Sequence, residues 1–197
     1  MEFSDFDLYP HFLENARARL EPLTKNHFEA LLPIAMHKEL WEFTSVSVKS
    51  EEDFSVYFEQ AMREKHSFLS YPFAIYDKLY NQYAGSTRFG SLSLENKRGE
   101  IGWTWYHPQL QRTGINKNCK ILLLSHAFEI MDFNRIELKT SLTNLKSQGA
   151  MLKIGAVKEG ILRRHMINAD GSLRDSVYFS FIKEEWQETK KKYFAEF

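Results

Sequence analysis

The residues best suited to chemistry lie in the stretch Gln109-Leu110-Gln111-Arg112-Thr113-Gly114, a short polar loop between a strand-like run ending at Tyr106 and a strongly helical run beginning at Asn116. A helix start offers unpaired amide donors and the positive end of the helix dipole, and a glycine ahead of it lets the backbone curl around an anion. Strand, loop and helix in that order can cradle a phosphate. The spaced glycine pair and Gly-Lys-Ser or Gly-Lys-Thr ending of a P-loop are missing, and so is a dinucleotide fingerprint. On residue type alone, Gly114 equally suits a plain strand-to-helix turn, and Arg112 and Lys117 equally suit solvated surface charges.

Other candidates follow from spacing. Asn144 and Ser147 are three apart at the start of a predicted helix, so they share one face of its first turn, and asparagine is a favoured N-cap. Trp103 and Trp105 alternate with Thr104 on one strand, which puts two indoles on one face and a hydroxyl on the other. One of these faces belongs to the core and the other can line a tunnel. Glu100 opens that same strand, where pairing with a neighbouring cation such as Arg98 is the simplest role. His165 lies in a charged stretch beside Arg163 and Arg164. Cys119 reads as a small buried residue on a helix rather than a nucleophile, with no base evidently beside it.

The elements that must position these residues change period along the chain. A first edge strand is expected at Ala16 to Glu21, then a helix from Thr24 that Pro33 bends or splits. A second helix opens at Ser50, with Glu51, Glu52 and Asp53 in its first turn and Phe54, Tyr57, Phe58, Ala61 and Met62 forming an apolar stripe. Tyr71 to Tyr76, Tyr83 to Leu94 and Gly99 to Tyr106 are aromatic and β-branched runs joined by short polar turns, which predicts an antiparallel meander. A helix at Asn116 to Met131, a strand at Arg135 to Thr140, a helix at Leu145 to Ile154, a hairpin of Ala156 to Ile167 and Asp175 to Ile182 around Asp170-Gly171, and an exposed charged helix over Lys183 to Phe197 complete the order. This is a mixed α/β layer with a mostly antiparallel centre and one crossover, expected to form a single domain over residues 1–197.

Composition narrows the function. With 26 basic and 26 acidic side chains the net charge is zero, so no long-range field recruits nucleic acid or an anionic membrane. A single cysteine excludes an intramolecular disulfide, and no Cys/His spacing suggests a zinc site, so no metal is expected. The acidic N-terminus lacks the features of a secretory signal, and the expected location is the cytoplasm. Aromatic residues make up 15% of the chain, which implies a tightly filled core and, through any surplus patch, a weak homodimer.

The stretch Gln111-Arg112-Thr113-Gly114-Ile115-Asn116 resembles the acyl-coenzyme A pyrophosphate loop of the GNAT superfamily of N-acetyltransferases, whose pattern is Gln or Arg, two free positions, Gly, one free position, then Gly or Ala. Asn116 replaces the last small residue and, being short and polar, is expected to cap the first helical turn. Arg135-Ile136-Glu137-Leu138, Asn144-Leu145-Lys146-Ser147, Leu152-Lys153-Ile154-Gly155-Ala156, Glu159-Gly160 and Asp170-Gly171 look like the strand, helix start and hairpin of the RimJ/RimL-type branch. That branch includes enzymes that acetylate the N-terminal amine of ribosomal proteins. The likeness runs from about Arg17 to Trp186 and is strongest from Glu100 to Gly171.

The resemblance implies a GNAT-like fold in which a strand splays from its neighbour so that pantetheine lies in the gap. It further implies pyrophosphate binding by the amides of Gln111 to Lys117, with Arg112 or Lys117 as partners of the ribose phosphate. Asn144 would hold the pantetheine arm and Ser147 would protonate the departing thiolate. The thioester carbonyl would be polarised near Thr104 and Trp105, and Trp103 would flank the same tunnel. Glu100 would sit at the acceptor end and take a proton from the incoming ammonium, with His165 or water as the alternative base. The expected activity is acetyl transfer from acetyl-coenzyme A to a primary amine, either a peptide N-terminus or a small molecule. A non-catalytic acyl-coenzyme A sensor is the competing class, and a working proton path separates the two. An RNA-binding accessory role is disfavoured by the neutral charge.

Overall fold

Alternating runs rich in aromatic side chains become the centre of one sheet. The computed structural model describes residues 11–197. The strands β1 (Leu13–Glu14) and β2 (Ala18–Pro22) precede α1 (Phe28–Ala35) and α2 (Glu51–His66), and β3 (Ser70–Asp77), β4 (Gln82–Ser93) and β5 (Arg98–Tyr106) form the expected meander. Helix α3 (Ile115–Ser125) crosses over to β6 (Arg135–Ser141), and α4 (Leu145–Lys153), β7 (Val157–Ile167), β8 (Leu173–Ile182) and α5 (Lys183–Tyr193) follow. The strand order is β1-β2-β3-β4-β5-β6-β8-β7. Every neighbouring pair is antiparallel except β5 with β6, the pair joined through α3.

Local chemistry explains the helix starts. Ser50 Oγ accepts from the Asp53 amide at 3.2 Å and Asp53 Oδ2 accepts from the Ser50 amide at 3.1 Å, a reciprocal box that fixes the start of α2. Four expectations are corrected. Pro33 stays inside a single eight-residue α1, because a 3-10 turn at Lys25–His27 takes up the earlier part of the pattern and the proline costs this short helix one hydrogen bond. The first predicted strand is not the edge, since β1 pairs along its outer side. The helix expected through Met131 is α-helical only to Ser125, then widens to a π turn over His126–Ile130. Helix α5 ends at Tyr193 and is not a free charged helix, because Trp186 and Phe194 are 2% and 1% exposed and anchor it in the core.

Residues paired in register point to the same side of a sheet. Phe89, Ile101, Ile136, Leu138, Val177 and Phe179 therefore form one side, packed under α3 and α5 with Leu123, Leu124 and Trp186. On the other side α1 and α2 bury Leu31, Ile34, Phe54 and Phe58 against Ala74 and Trp105. Farther along that second side, on β6 and β8, the register places Glu137, Lys139, Ser176, Tyr178 and Ser180. The sheet thus has one apolar side and one side that is apolar over β3 to β5 and polar beyond.

Candidate active site

Strands β5 and β6 pair only at Arg98↔Arg135, Gly99↔Ile136 and Glu100↔Glu137, although β5 runs on to Tyr106 and β6 to Ser141. A wedge opens there with Glu100 at its apex. Along the other edge of β5 the register passes from Arg88↔Gly102 to Ser86↔Trp105, so β5 spends one more residue than β4. This bulge puts Trp103 in the left-handed region at φ 48° and leaves Trp103 and Thr104 outside the paired register. The backbone of β5 past Glu100 consequently borders the wedge with no strand partner on the β6 side.

The mouth of the wedge is built by the two segments singled out from sequence. Gly114, at φ 95°, is the N-cap of α3, a conformation that a side chain with Cβ rarely adopts. Arg17 fixes the loop from outside: its Nη1 donates to the Thr113 carbonyl at 2.6 Å and its Nη2 to Thr113 Oγ1 at 3.0 Å, while Asp77 Oδ2 accepts from it at 3.0 Å. Arg17 thus anchors the turn directly ahead of the first α3 residues, whose leading amides have no partner within the helix. On the opposite arm Asn144 Oδ1 accepts from the Ser147 amide at 3.0 Å, so Asn144 is the N-cap of α4. The Lys146 ammonium donates to Gln111 Oε1 and so ties the two segments together across the mouth.

Two side chains in the loop region, Asn116 and Lys117, are engaged elsewhere than expected. Asn116 does not cap α3, because its Oδ1 accepts from the buried Tyr106 hydroxyl at 3.1 Å. Lys117 is turned away toward Glu196, with its ammonium 5.7 Å from the Phe194 ring centre. Ile115 is buried in the core and offers only its backbone to the loop. Arg112, exposed at the loop tip, is the cation that remains.

At the apex, Glu100 is buried and its Oε2 accepts from Lys139 Nζ at 2.6 Å. Arg98, the partner anticipated from sequence, instead lies 3.7 Å from Glu137. Glu100 Oε1 lies over Gly102, where a built Cβ would come within 2.8 Å, so the glycine makes room for the carboxylate. The Lys139 ammonium also stands 5.8 Å from the Trp103 ring centre and 6.0 Å from that of Tyr178. The Tyr178 hydroxyl is 3.3 Å from His165 Nε2, and His165 Nδ1 is 3.1 Å from Ser176 Oγ. Glu100 and His165, the two candidate bases, therefore end on one polar side of the sheet, linked through Lys139 and Tyr178.

The two indoles share this side, as their alternation requires. Trp105 is core, donating from Nε1 to the Tyr57 hydroxyl at 3.2 Å, whereas Trp103 is 38% exposed and lies in the cleft. Arg88 sits between Trp103 and Tyr57, 5.1 Å and 5.2 Å from their ring centres, with its Nη1 donating to Glu64 Oε2 at 3.0 Å. Thr104 points the other way, 2.7 Å from Thr87 Oγ1 and 3.4 Å from the buried Lys120 ammonium. Burial brings Lys120 down to about 8. Burial also pushes the Cys119 thiol up to about 12, which keeps it protonated and inert. Lys139, Tyr178, Arg88 and Lys120 carried no signal in the sequence, since their roles arise from register between strands distant in the chain. Among the described residues no group of three or more His, Cys, Asp or Glu is placed to hold a metal ion, and no helix is long and apolar enough to cross a membrane.

A parallel strand pair that splays beside an amide-rich helix start, on an otherwise antiparallel sheet, defines the acyl-coenzyme A N-acyltransferase class of fold. Residues 17–157 match the family described as "Acetyltransferase (GNAT) domain", and the chain belongs to that family. It is 30% identical over 106 residues to a Bacillus subtilis protein named "Putative ribosomal N-acetyltransferase YdaF", covering 54% of this chain and 57% of that one. The chain thus spans little more than half the length of this curated relative, whose name bears out the likeness to the RimJ/RimL-type branch. A solved "putative acetyltransferase" from T. thermophilus is 32% identical with a TM-score of 0.86, covering 95% of this chain and 97% of its own. A GCN5-related N-acetyltransferase from Brucella melitensis is 25% identical, also with a TM-score of 0.86, covering 93% and 84%.

Proposed function

We propose that the protein transfers the acetyl group of acetyl-coenzyme A to a primary amine by direct attack. The observation that carries this reading is the wedge, which has a free β5 edge along one arm, a glycine-capped helix start at its mouth and a buried carboxylate at its apex. These residues fit the cosubstrate. The amides from Gln111 to Lys117 hold the pyrophosphate, with Arg112 beside it. The backbone around Trp103, Thr104 and Trp105 lines the acyl end and polarises the thioester carbonyl. Asn144 holds the pantetheine arm. The Lys117 ammonium, engaged by Glu196, is left out as a partner of the ribose phosphate.

The amine arrives protonated and must lose a proton before attack. Glu100 Oε1 takes it, because Oε2 is held by Lys139. The amine nitrogen then bonds to the acetyl carbon and the carbon–sulfur bond breaks. The nitrogen, positive after attack, sheds its second proton; Ser147 protonates the departing sulfur and recovers a proton from that nitrogen through water, while Glu100 releases the first proton to water. Most of the rate comes from holding the reactants in line. The acceptor is a peptide N-terminus or a small amine, entering on the polar side of the sheet. A thiol-release screen with acetyl-coenzyme A against amines and N-terminal peptides, with mass spectrometry to locate the acetyl group, tests the reading. Acetylation of an amine with stoichiometric thiol release is expected. Tight binding of coenzyme A with transfer to no acceptor would favour a sensor instead.

A further inference from the structure

Three cations on the acceptor side of the sheet differ in how their charge is balanced. Arg88 is paired with Glu64 at 3.0 Å and Lys139 with Glu100 at 2.6 Å. Arg174, at the start of β8, is 8% exposed and forms no ion pair among the described residues. Its Nη1 donates to the Phe43 carbonyl at 3.1 Å, and its buried Nε has no hydrogen-bond partner there. The neighbouring Asp175 is occupied, its Oδ1 accepting from the Arg164 amide at 2.7 Å. Burial pulls the Arg174 guanidinium below its ordinary range, and only Glu100 and the Tyr178 hydroxyl act electrostatically against that. Arg88 Nε is also without a partner, but the Arg88 charge is already met by Glu64.

Position gives this imbalance meaning. Arg174 alternates with Ser176 and Tyr178 along β8, so it shares their side of the sheet, and those two residues hold both ring nitrogens of His165. Its bond to Phe43 reaches across to the segment 36–50 between α1 and α2. The guanidinium therefore stands where that segment meets the acceptor side of the sheet, within electrostatic range of the apex carboxylate. A buried guanidinium with a backbone carbonyl as its one partner is poorly compensated, and its planar fork matches a carboxylate in two parallel hydrogen bonds.

We infer that the acceptor carries a carboxylate in addition to its amine, and that Arg174 receives it. This rests on the amine-transfer reading above. The carboxylate can belong to a free amino acid or to an acidic side chain near a peptide N-terminus. The two sources share the chemistry that Arg174 reads.

Matched acceptors that differ only in carboxylate against carboxamide separate the possibilities: an amino acid against its amide, and a peptide with Glu in second place against one with Gln. The wild-type protein should prefer the acid in at least one pair by roughly tenfold or more in kcat/KM, mainly through KM. In Arg174→Gln that ratio should fall to near one, and Arg174→Lys should keep part of it. A ratio is used because a fold defect that slows both members equally leaves it unchanged. As a binding readout, the N-acetylated acid should raise the unfolding midpoint of the coenzyme A complex more than the N-acetylated amide does, and Arg174→Gln should erase the difference. Equal acetylation of acid and amide in both pairs, or a preference that survives Arg174→Gln, would overturn the inference while leaving amine transfer standing. Transfer to neither member of either pair, with an amine of the broader screen acetylated, would overturn this inference alone; transfer to no amine at all would overturn the transfer reading with it.

Discussion

Phe89 and Tyr178 mark two regions of one sheet. Around Phe89, strands β3 to β5 are covered on both sides, by α1 and α2 on one and by α3 on the other, and Phe73, Phe89 and Ile101 are buried among apolar neighbours. Around Tyr178, strands β6 and β8 bury Leu138, Val177 and Phe179 on one side and present Lys139, Ser176 and Tyr178 on the other. The covered region sets where β5 lies and where its bulge falls. The open region supplies charge and hydroxyls to a space that β5 borders. The proposed chemistry lies at the seam, where β5 and β6 stop pairing at Glu100.

Breaking the seam should have the largest effect. Glu100→Gln and Ser147→Ala are each expected to slow turnover by roughly a hundredfold to ten-thousandfold, as removal of a positioned acid or base does. Coenzyme A affinity should change little in either variant, which equilibrium titration would check. Full turnover of Glu100→Gln across the pH range would move the base to His165 or water.

Stability separates the two regions next. Phe89→Ala, on a side chain with 0% exposure, should cost about 3–5 kcal/mol in denaturant unfolding. Ile161→Ser on the 44% exposed face of β7 should stay within roughly 0.5 kcal/mol. Equal costs would mean that β7 is buried in an assembly, the outcome a homodimer would produce.

The buried Lys120 beneath Thr104 gives a smaller, pH-dependent effect. Its pKa falls from 10.5 when unfolded to about 8 when folded, so between those values the unfolded chain holds more protons. Stability should therefore rise with pH through that window, by about 3 kcal/mol from this group alone. Raised Cys119 and Tyr106 values act in the opposite direction above about 9, so the quantity to measure is the difference between wild type and Lys120→Met. That variant should gain stability near neutrality and lose the rise. A Lys120→Met curve parallel to wild type from pH 8 to 10.5 would contradict the assignment.

The legible parts were those encoded by neighbours in sequence. Gly114 before a helix, Asn144 three residues from Ser147, and the period-two runs of the meander each follow local rules, and each is found where it was expected. The unpredicted parts depend on register or on distant partners. Lys139 meets Glu100 only because β5 and β6 pair in parallel at Glu100↔Glu137, and Asn116 turns inward because a Tyr106 hydroxyl waits there. Helix α5 carries mostly charged residues, so the two aromatic anchors that hold it were outweighed in its pattern.

Thermal unfolding with increasing coenzyme A tests the central claim most directly. If amides at the start of α3 hold the pyrophosphate, the midpoint should climb with the logarithm of concentration once the dissociation constant is passed, by an amount worth about 2.7 kcal/mol at a hundredfold excess. Gly114→Val, strained at φ 95° and so expected to shift the loop backbone, should lose most of that climb while the protein without ligand still unfolds cooperatively. A wild-type midpoint that does not move at saturating coenzyme A, or a Gly114→Val protein that responds as wild type does, would contradict the cradle and the transfer chemistry built on it.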